Sequence, residues 1–302
     1  MSSSSLSGSP YILDPSSHAN VSGKVVVISG AANGIGAALA RALHAHGTAA
    51  LALGDTDAAA GQALAAALPG TTFVRTDVRR YGDVVTLFKA AKAAHGRVDA
   101  AVGCAGVLER GMWFGESMTP EGVEEAPDMA TVEVNLQGGL YFARVACGYL
   151  NGGGDKALVL VSSAAGFRES PGLPVYQTTK TGLLGLARNL SLTLHPTTGI
   201  RTNILLPAMT ETGMVGPAAQ LFRTAGLAIN SAEDVAAFMV DMIARKERNG
   251  KALNGLAVYV EGGRGWEIEE GLKRTMKQWL GAEPVERIEE DKRVVEAEMW
   301  GK

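Results

Sequence analysis

Tyr176 and Lys180 stand four residues apart in the segment Tyr176-Gln177-Thr178-Thr179-Lys180. In a helix that spacing stacks the two side chains on one face. A free phenol ionises near ~10, too high for a base at neutral pH, but an ammonium one turn away favours the phenolate. Ser162-Ser163 lies 13 residues ahead of Tyr176, counted from Ser163, and closes the apolar run Ala157 to Val161. A hydroxyl at the end of a buried strand points into the crevice where open α/β sheets take ligands. Ser163, Tyr176 and Lys180 together suit proton exchange with an alcohol or carbonyl oxygen. A lone Y-x-x-x-K is common, and a surface tyrosine stacked on a lysine is the plain alternative, so the surroundings must decide.

Those surroundings begin at Val25-Val26-Val27-Ile28-Ser29-Gly30-Ala31-Ala32-Asn33-Gly34-Ile35-Gly36. Four apolar, mostly β-branched residues read as a buried strand, and Ala37 to Leu43 as a helix. Between them, G-x-x-x-G-x-G is a variant of the dinucleotide fingerprint. Gly30 permits the tight turn, and Gly34 and Gly36 bring no Cβ against a pyrophosphate or the helix-to-strand contact. The helix N-terminus then faces the phosphates with free N–H groups and its positive dipole end. Asp55 follows 19 residues after Gly36, where a second strand ends. A carboxylate there accepts hydrogen bonds from an adenine ribose and repels a 2′-phosphate. The competing role is a helix cap, since Asp55 and Asp57 both precede an Ala-rich helix. No Arg or Lys occupies 31–33 or 56–60, so NAD is expected over NADP.

Positioning these groups takes an alternating chain. Strands are expected at 24–29, 49–53, 71–76, 98–102, 157–161, 201–206 and 256–260. Helices are expected at 34–46, after Asp57 as far as Leu68, and at 81–95, 129–150, 174–194 and 232–246. The order predicts an α/β fold: a single Rossmann-type doubly wound parallel sheet with helices on both faces. Residues 1–20 read as a flexible N-terminal arm, although Tyr11-Ile12-Leu13 can dock. Residues 21–263 read as the NAD-binding Rossmann catalytic domain, and 264–302 as a helical C-terminal extension, amphipathic from Trp266 to Leu280 and densely charged over 284–300. Residues 107–128 and 208–230 read as irregular.

The bulk numbers exclude other classes. A chain of 302 residues, 46% apolar and 20% charged with net charge −3, suits one soluble globular core and no nucleic-acid partner. Two cysteines, Cys104 and Cys147, fit a reducing compartment. The Ser-rich start lacks a secretory pattern, and no stretch approaches the ~18 apolar residues of a membrane span. A cytoplasmic protein without membrane attachment is expected. The five histidines are scattered, so no metal is expected.

With these residues in view, the chain resembles the short-chain dehydrogenase/reductase family over roughly 23–263. The resemblance rests on Ser29-Gly30-Ala31-Ala32-Asn33-Gly34-Ile35-Gly36, Thr76-Asp77-Val78, Ala105-Gly106, Val134-Asn135-Leu136, Val161-Ser162-Ser163-Ala164-Ala165-Gly166, Tyr176 to Lys180 and Glu261-Gly262-Gly263. It implies a catalytic tetrad of Asn135, Ser163, Tyr176 and Lys180, with Asn135 kinking its helix and anchoring a water that links Lys180 to solvent. It also implies cofactor contacts from Gly30, Asn33, Gly34, Ile35 and Gly36 of the turn. Asp55, Asp77 and Val78, then Cys104, Ala105 and Gly106, and finally Pro207, Thr210 and Thr212 join Tyr176 and Lys180 in that role.

The helix 129–150 is similar to that of NAD-dependent alcohol dehydrogenases acting on bulky hydrophobic alcohols, and fungal secondary-metabolism members are similar. A small hydrophobic alcohol or ketone substrate and a homodimer or homotetramer follow from this resemblance, with pairing through the 84–95, 129–150 and 174–194 helices. Apolar residues on variable segments beside the site are the expected substrate pocket: Trp113 and Phe114, next to Met112; Phe167 and Leu173; Met209, Met214 and Phe222. Residues 208–230 are expected to close as a lid. Two departures stand out. Gly103-Cys104 replaces the family's usual Asn-Asn, and Ala208 follows Pro207 where glycine is usual. Non-redox use of the same site, or a nucleotide-responsive binding module, is the alternative.

Overall fold

The computed structural model describes residues 9–115 and 118–299. A nine-stranded sheet is built from the described residues in the order β1-β11-β10-β7-β6-β5-β2-β3-β4. Its strands are β1 (Ser9–Tyr11), β2 (Val25–Ser29), β3 (Ala50–Asp55), β4 (Thr71–Arg75), β5 (Ala100–Gly103), β6 (Lys156–Val161), β7 (Ile200–Pro207), β10 (Ala257–Glu261) and β11 (Arg264–Glu267); β8 (Glu247–Arg248) and β9 (Lys251–Ala252) form a separate hairpin. From β4 across to β10 every pairing is parallel. The chain winds from β2 outward to β4, then returns to β5 on the other side of β2. That reversal opens a crevice at the carboxyl ends of β2 and β5.

Helices cover both faces: α1 (Gly34–Ala45), α2 (Ala58–Ala67), α3 (Tyr81–His95), α4 (Gly138–Leu150), α5 (Pro174–Thr198), α6 (Gly216–Thr224), α7 (Ala232–Ala244), α8 (Glu269–Leu280) and α9 (Ala282–Met299). Every residue of β2 is buried, as a strand with helices on both sides requires. Val26 and Ile28 join the core shared with α1 and α7, while Val27 turns to the core of α3, α4 and α5. The fold expectation therefore holds. No helix among the described residues is long and apolar enough to cross a membrane.

Four local expectations are corrected. Residues 9–21 are not a loose arm: β1 pairs antiparallel with β11, and Pro15–Val21 forms a 3-10 helix on α7. Tyr11 is buried, and its hydroxyl donates to the fully buried Asp241 at 2.6 Å. Asp241 also accepts from the Asp14 amide at 2.8 Å, so the polar group buried in α7 holds the incoming chain. Residues 1–8 lie outside the described residues. Second, Trp266 belongs to a strand, not a helix. Gly262 and Gly263, at φ +55° and +71°, make a two-residue hairpin that pairs Glu261 with Arg264. Third, the 129–150 helix is not one regular α-helix: a π-helical segment, Val132–Gln137, interrupts it ahead of α4, at the Asn135 where a kink is expected. Fourth, the irregular 208–230 segment contains α6.

Candidate active site

The glycine turn is close-packed on every side. A Cβ at Gly30, φ +65°, would lie 2.6 Å from the Ala105 backbone, and one at Gly36 would lie 2.1 Å from the Gly30 carbonyl oxygen. The turn thus presses the end of β2 against both the 104–106 segment and α1. Asn33 holds the N-cap position of α1 in an extended conformation, but its side chain makes no capping bond; its amide group reaches Asp57 at 3.3 Å. The first-turn N–H groups of α1 are left without a side-chain cap, which suits an anion. These residues fit the pyrophosphate of a dinucleotide.

The two aspartates after β3 divide their work. Asp57 caps α2 by accepting from the Ala60 amide at 3.0 Å, and this bond leads the interactions holding its carboxyl below the usual range. Asp55 does not cap the helix. Its carboxylate is oriented by the Ala32 amide at 2.9 Å and the Asp57 amide at 3.0 Å, and it faces the cleft. The cap that competed with the ribose role at Asp55 is therefore supplied by its neighbour.

The two serines after β6 also separate. Ser162 is buried and donates to the Lys180 carbonyl at 2.7 Å, docking the strand end on α5. Ser163 accepts from the Ala165 amide at 3.2 Å and lines the cleft. Tyr176 and Lys180 rise from α5, as expected from their spacing. Lys180 is buried, its Nζ 5.5 Å from the Tyr176 ring centre and 3.2 Å from the Val161 carbonyl oxygen. Asn135 sits in the π-helical segment, where the altered backbone turn redirects its side chain. It accepts from the Val107 amide at 2.8 Å and donates to the Val107 carbonyl at 2.9 Å and to Thr179 Oγ1 at 3.2 Å. A Cβ at Gly106 would lie 3.4 Å from both Asn135 Oδ1 and Lys180 Nζ, so the missing side chain leaves a slot between them.

A cleft of about 840 Å³ joins the glycine turn, Asp55, Ser163, Tyr176 and Lys180, while Asn135 is not among its lining residues. Gly30, Asn33, Gly34, Ile35, Gly36 and Asp55 line one part of it. Cys104, Gly106, Ser163, Tyr176 and Lys180 line the middle, and Pro207, Thr210 and Thr212 the covering segment. Asp77, Val78 and Ala105 do not line the cleft. Asp77 is gripped by Arg79, Nη2 to Oδ2 at 2.6 Å, and these bonds hold its carboxyl below the usual range against burial. Val78 and Ala105 border a cavity of about 10 Å³ behind the cleft, beside Asn135.

Both departures from the family pattern are accommodated. A Cβ at Gly103 would come within 3.2 Å of Phe142 and Leu160, and Cys104 packs beside Met239, Sγ to Sδ 3.9 Å. Burial pushes the Cys104 thiol up to about 12, so it is a neutral filler. Asn249 is the one non-glycine residue with positive φ among the described residues. Ala208 is thus unstrained, and its amide donates to Val260 at 2.8 Å.

Of the expected substrate residues, Leu173, Met209, Met214 and Phe222 line the cleft. Trp113, Phe114 and Phe167 do not. Phe114 is exposed, and Phe167 stacks edge-on with Tyr259 at 5.4 Å. Apolar type alone did not tell which way an irregular segment points. Leu108, Arg168 and Glu169 line the cleft and were missed; their signal was position, on the segments that leave β5 and β6 at the crevice. The covering segment is pinned at both ends by buried Asn230, which donates to Val260 at 2.9 Å and Thr210 at 3.4 Å and accepts from the Gly263 amide at 3.1 Å.

Comparison with known proteins agrees with this architecture. The short chain dehydrogenase family profile matches residues 24–220. The short-chain dehydrogenase/reductase prx4 of Penicillium rubens is 33% identical over 278 residues, 86% of this chain and 80% of the relative. The short-chain dehydrogenase/reductase ascJ of Acremonium egyptiacum is 31% identical over 267 residues, 82% of each chain. A solved dehydrogenase/reductase from Sinorhizobium meliloti superposes with a TM-score of 0.69 at 26% identity, covering 83% of this chain and 99% of that one. A short chain dehydrogenase from Burkholderia cenocepacia, in complex with NADP, gives 0.68 at 26% identity, covering 81% and 98%. With its Rossmann-type sheet, glycine turn and Ser-Tyr-Lys cleft, the chain belongs to the short-chain dehydrogenase family, whose members are oxidoreductases that bind a nicotinamide cofactor.

Proposed function

We propose that the protein is an NAD-dependent oxidoreductase that moves a hydride between a bulky hydrophobic secondary alcohol, or its ketone, and nicotinamide, with a cytoplasmic role in secondary metabolism. The observation that carries this reading is a single cleft lined by the glycine turn, Asp55, Ser163, Tyr176 and Lys180.

The α1 N-terminus and Asp55 would hold the dinucleotide, with Thr212 from the covering segment close over Gly34, 3.2 Å from where a Cβ would stand. When bound, the nicotinamide supplies a hydride acceptor or donor at its ring C4. Tyr176 takes the proton of the substrate hydroxyl, or returns it to the carbonyl oxygen. Ser163 donates to that oxygen as negative charge develops, a stabilisation aimed at the transition state. The Lys180 ammonium, fixed on the Val161 carbonyl, sets a positive charge beside the Tyr176 ring, where negative charge develops as the proton leaves. A water in the slot beside Gly106 would connect Lys180 with Asn135 and carry the proton onward. Leu173, Met209, Met214 and Phe222 offer an apolar wall to the carbon skeleton.

Asp55 supports NAD over NADP, because its oriented carboxylate would meet a 2′-phosphate with like charge. NADP is bound in the solved structure of the Burkholderia relative. Tyr81, Leu140 and Leu192, on α3, α4 and α5, are exposed apolar residues; they support self-association as a homodimer or homotetramer, measurable by light scattering. The direct test of function follows absorbance at the reduced nicotinamide band with a panel of secondary alcohols, using NAD and then NADP. Turnover with NAD is expected; none with either cofactor would reject the oxidoreductase reading.

A further inference from the structure

Glu109 belongs to the segment that leaves β5, yet its carboxylate stands at the amino end of α5. Its Oε2 accepts from the Val175 amide at 2.7 Å and from the Tyr176 amide at 2.9 Å. The helix has no cap of its own. Leu173 holds the N-cap position without a side-chain acceptor, and Pro174 in the first helical position has no N–H. Val175 and Tyr176 are therefore the first amides in need of a partner. A Ser, Thr or Asp at the N-cap would ordinarily supply it; here it arrives from 66 residues away. A carboxylate is also the charge that a helix N-terminus favours.

The residues before Glu109 are fastened as well. The Asn135 side chain holds both the amide and the carbonyl of Val107. The Leu108 carbonyl accepts from Thr131 Oγ1 at 3.3 Å, and Leu108 lines the cleft. Residues 107–109 thus form a strap from Asn135 to the first turn of the helix that carries Tyr176.

We propose that Glu109 is a positioning residue: by capping α5 it fixes the Tyr176 turn relative to Asn135 and the cleft wall. This inference rests on Tyr176 being the group that exchanges the substrate proton. An uncapped first turn lets the phenol shift, and a displacement of ~1 Å at a reacting group can lower turnover by about 10²-fold. The alanine variant removes the acceptor, whereas glutamine keeps an oxygen in reach of both amides.

The test uses full-length protein, unsubstituted and as Glu109→Ala and Glu109→Gln, with NAD and 1-phenylethanol as the probe alcohol. Steady-state rates would be combined with NADH fluorescence titration and with hydrogen exchange over residues 173–180. For Glu109→Ala we expect kcat to fall roughly ten- to a hundredfold, KM and NADH affinity to change less than about twofold, and exchange over 173–180 to speed up. For Glu109→Gln we expect kcat within about threefold of the unsubstituted protein. An unchanged kcat in the alanine variant, or an equal loss in both variants, would overturn the positioning role. Unchanged exchange would overturn the cap. No turnover by the unsubstituted protein with this or any other alcohol of the panel, with NAD or NADP, would instead sink the oxidoreductase reading, and the positioning role with it, while the exchange result still tells whether Glu109 caps the helix.

Discussion

Tyr176 carries the sharpest consequence at the scale of single residues. Removing its hydroxyl in Tyr176→Phe leaves the ring, the glycine turn and Asp55 in place, so NADH titration should give a nearly unchanged affinity. Turnover should fall by at least the ~10²–10⁴-fold that acid–base help supplies, and substantial residual activity would show that another group moves the proton. Asp55→Ala removes the carboxylate but leaves Asp57 capping α2, so the fold is expected to hold. The ratio of kcat/KM for NAD over NADP should drop by roughly tenfold or more, given that like-charge contacts can cost several kcal/mol. Gly106 offers a subtler probe. Its φ lies outside the strained region, and an added Cβ would meet Asn135 Oδ1 and Lys180 Nζ at ordinary contact distance, 3.4 Å. Gly106→Ala should therefore fold normally but crowd the slot between them, lowering kcat by roughly tenfold while NADH binding persists; an unaffected kcat would argue against proton passage through that slot.

The elements that present these residues were legible wherever the signal is local. Tyr176 and Lys180 are read from one helical spacing, and Gly30, Gly34 and Gly36 from one turn, because backbone geometry alone fixes their relations. The Val25–Ser29 strand announces itself because burial on both faces demands an unbroken apolar run. Signals that depend on distant partners were not legible. Three residues, Ser9–Tyr11, are too few for any periodicity, and only the buried Asp241 explains why they pair at the sheet edge. Gly262-Gly263 was visible, but not as a hairpin turn that puts Trp266 in a strand. Trp113, Phe114 and Phe167 have the composition of a pocket wall, yet none lines the cleft, Phe114 being exposed and Phe167 packed on Tyr259, and the Glu109 cap joins segments far apart in sequence. The docked N-terminus makes its own prediction. Tyr11→Phe deletes a buried hydrogen bond to a carboxylate, so urea denaturation should show a loss of about 2 kcal/mol. Tyr11 is not among the residues that line the cleft, so kcat should not move.

Across the whole molecule, stability and chemistry occupy opposite ends of the sheet. The cleft lies at the carboxyl ends of the strands. At the amino ends, Asp155 binds Lys24 at 2.8 Å and Arg201 at 2.9 Å, and Asp99 binds Lys156 at 2.8 Å and Arg97 at 2.8 Å. Arg201 also donates to the carbonyls of Met242 and Ile243, tying β7 to the end of α7. Burial opposes ionisation of both aspartates, but the surrounding cations and hydrogen bonds outweigh it and hold both carboxyls below their usual range. The sign follows from linkage. In the unfolded chain these carboxyls take up protons near ~3.9, while in the folded protein they stay ionised to lower pH. Their stabilisation is therefore complete above that value and is lost as pH falls through the unfolded and then the folded pKa. Urea midpoints should be flat with respect to these groups from pH 7 to about 5 and should fall steeply below about 4. Asp155→Asn should cost ~3 kcal/mol at neutral pH by leaving Arg201 and Lys24 without their counter-charge, and it should flatten part of the acid slope. Because the change sits at the far end of the strands, kcat at 25 °C should match the unsubstituted protein; a fall in kcat without unfolding would mean that the two ends are coupled through β6 and β7.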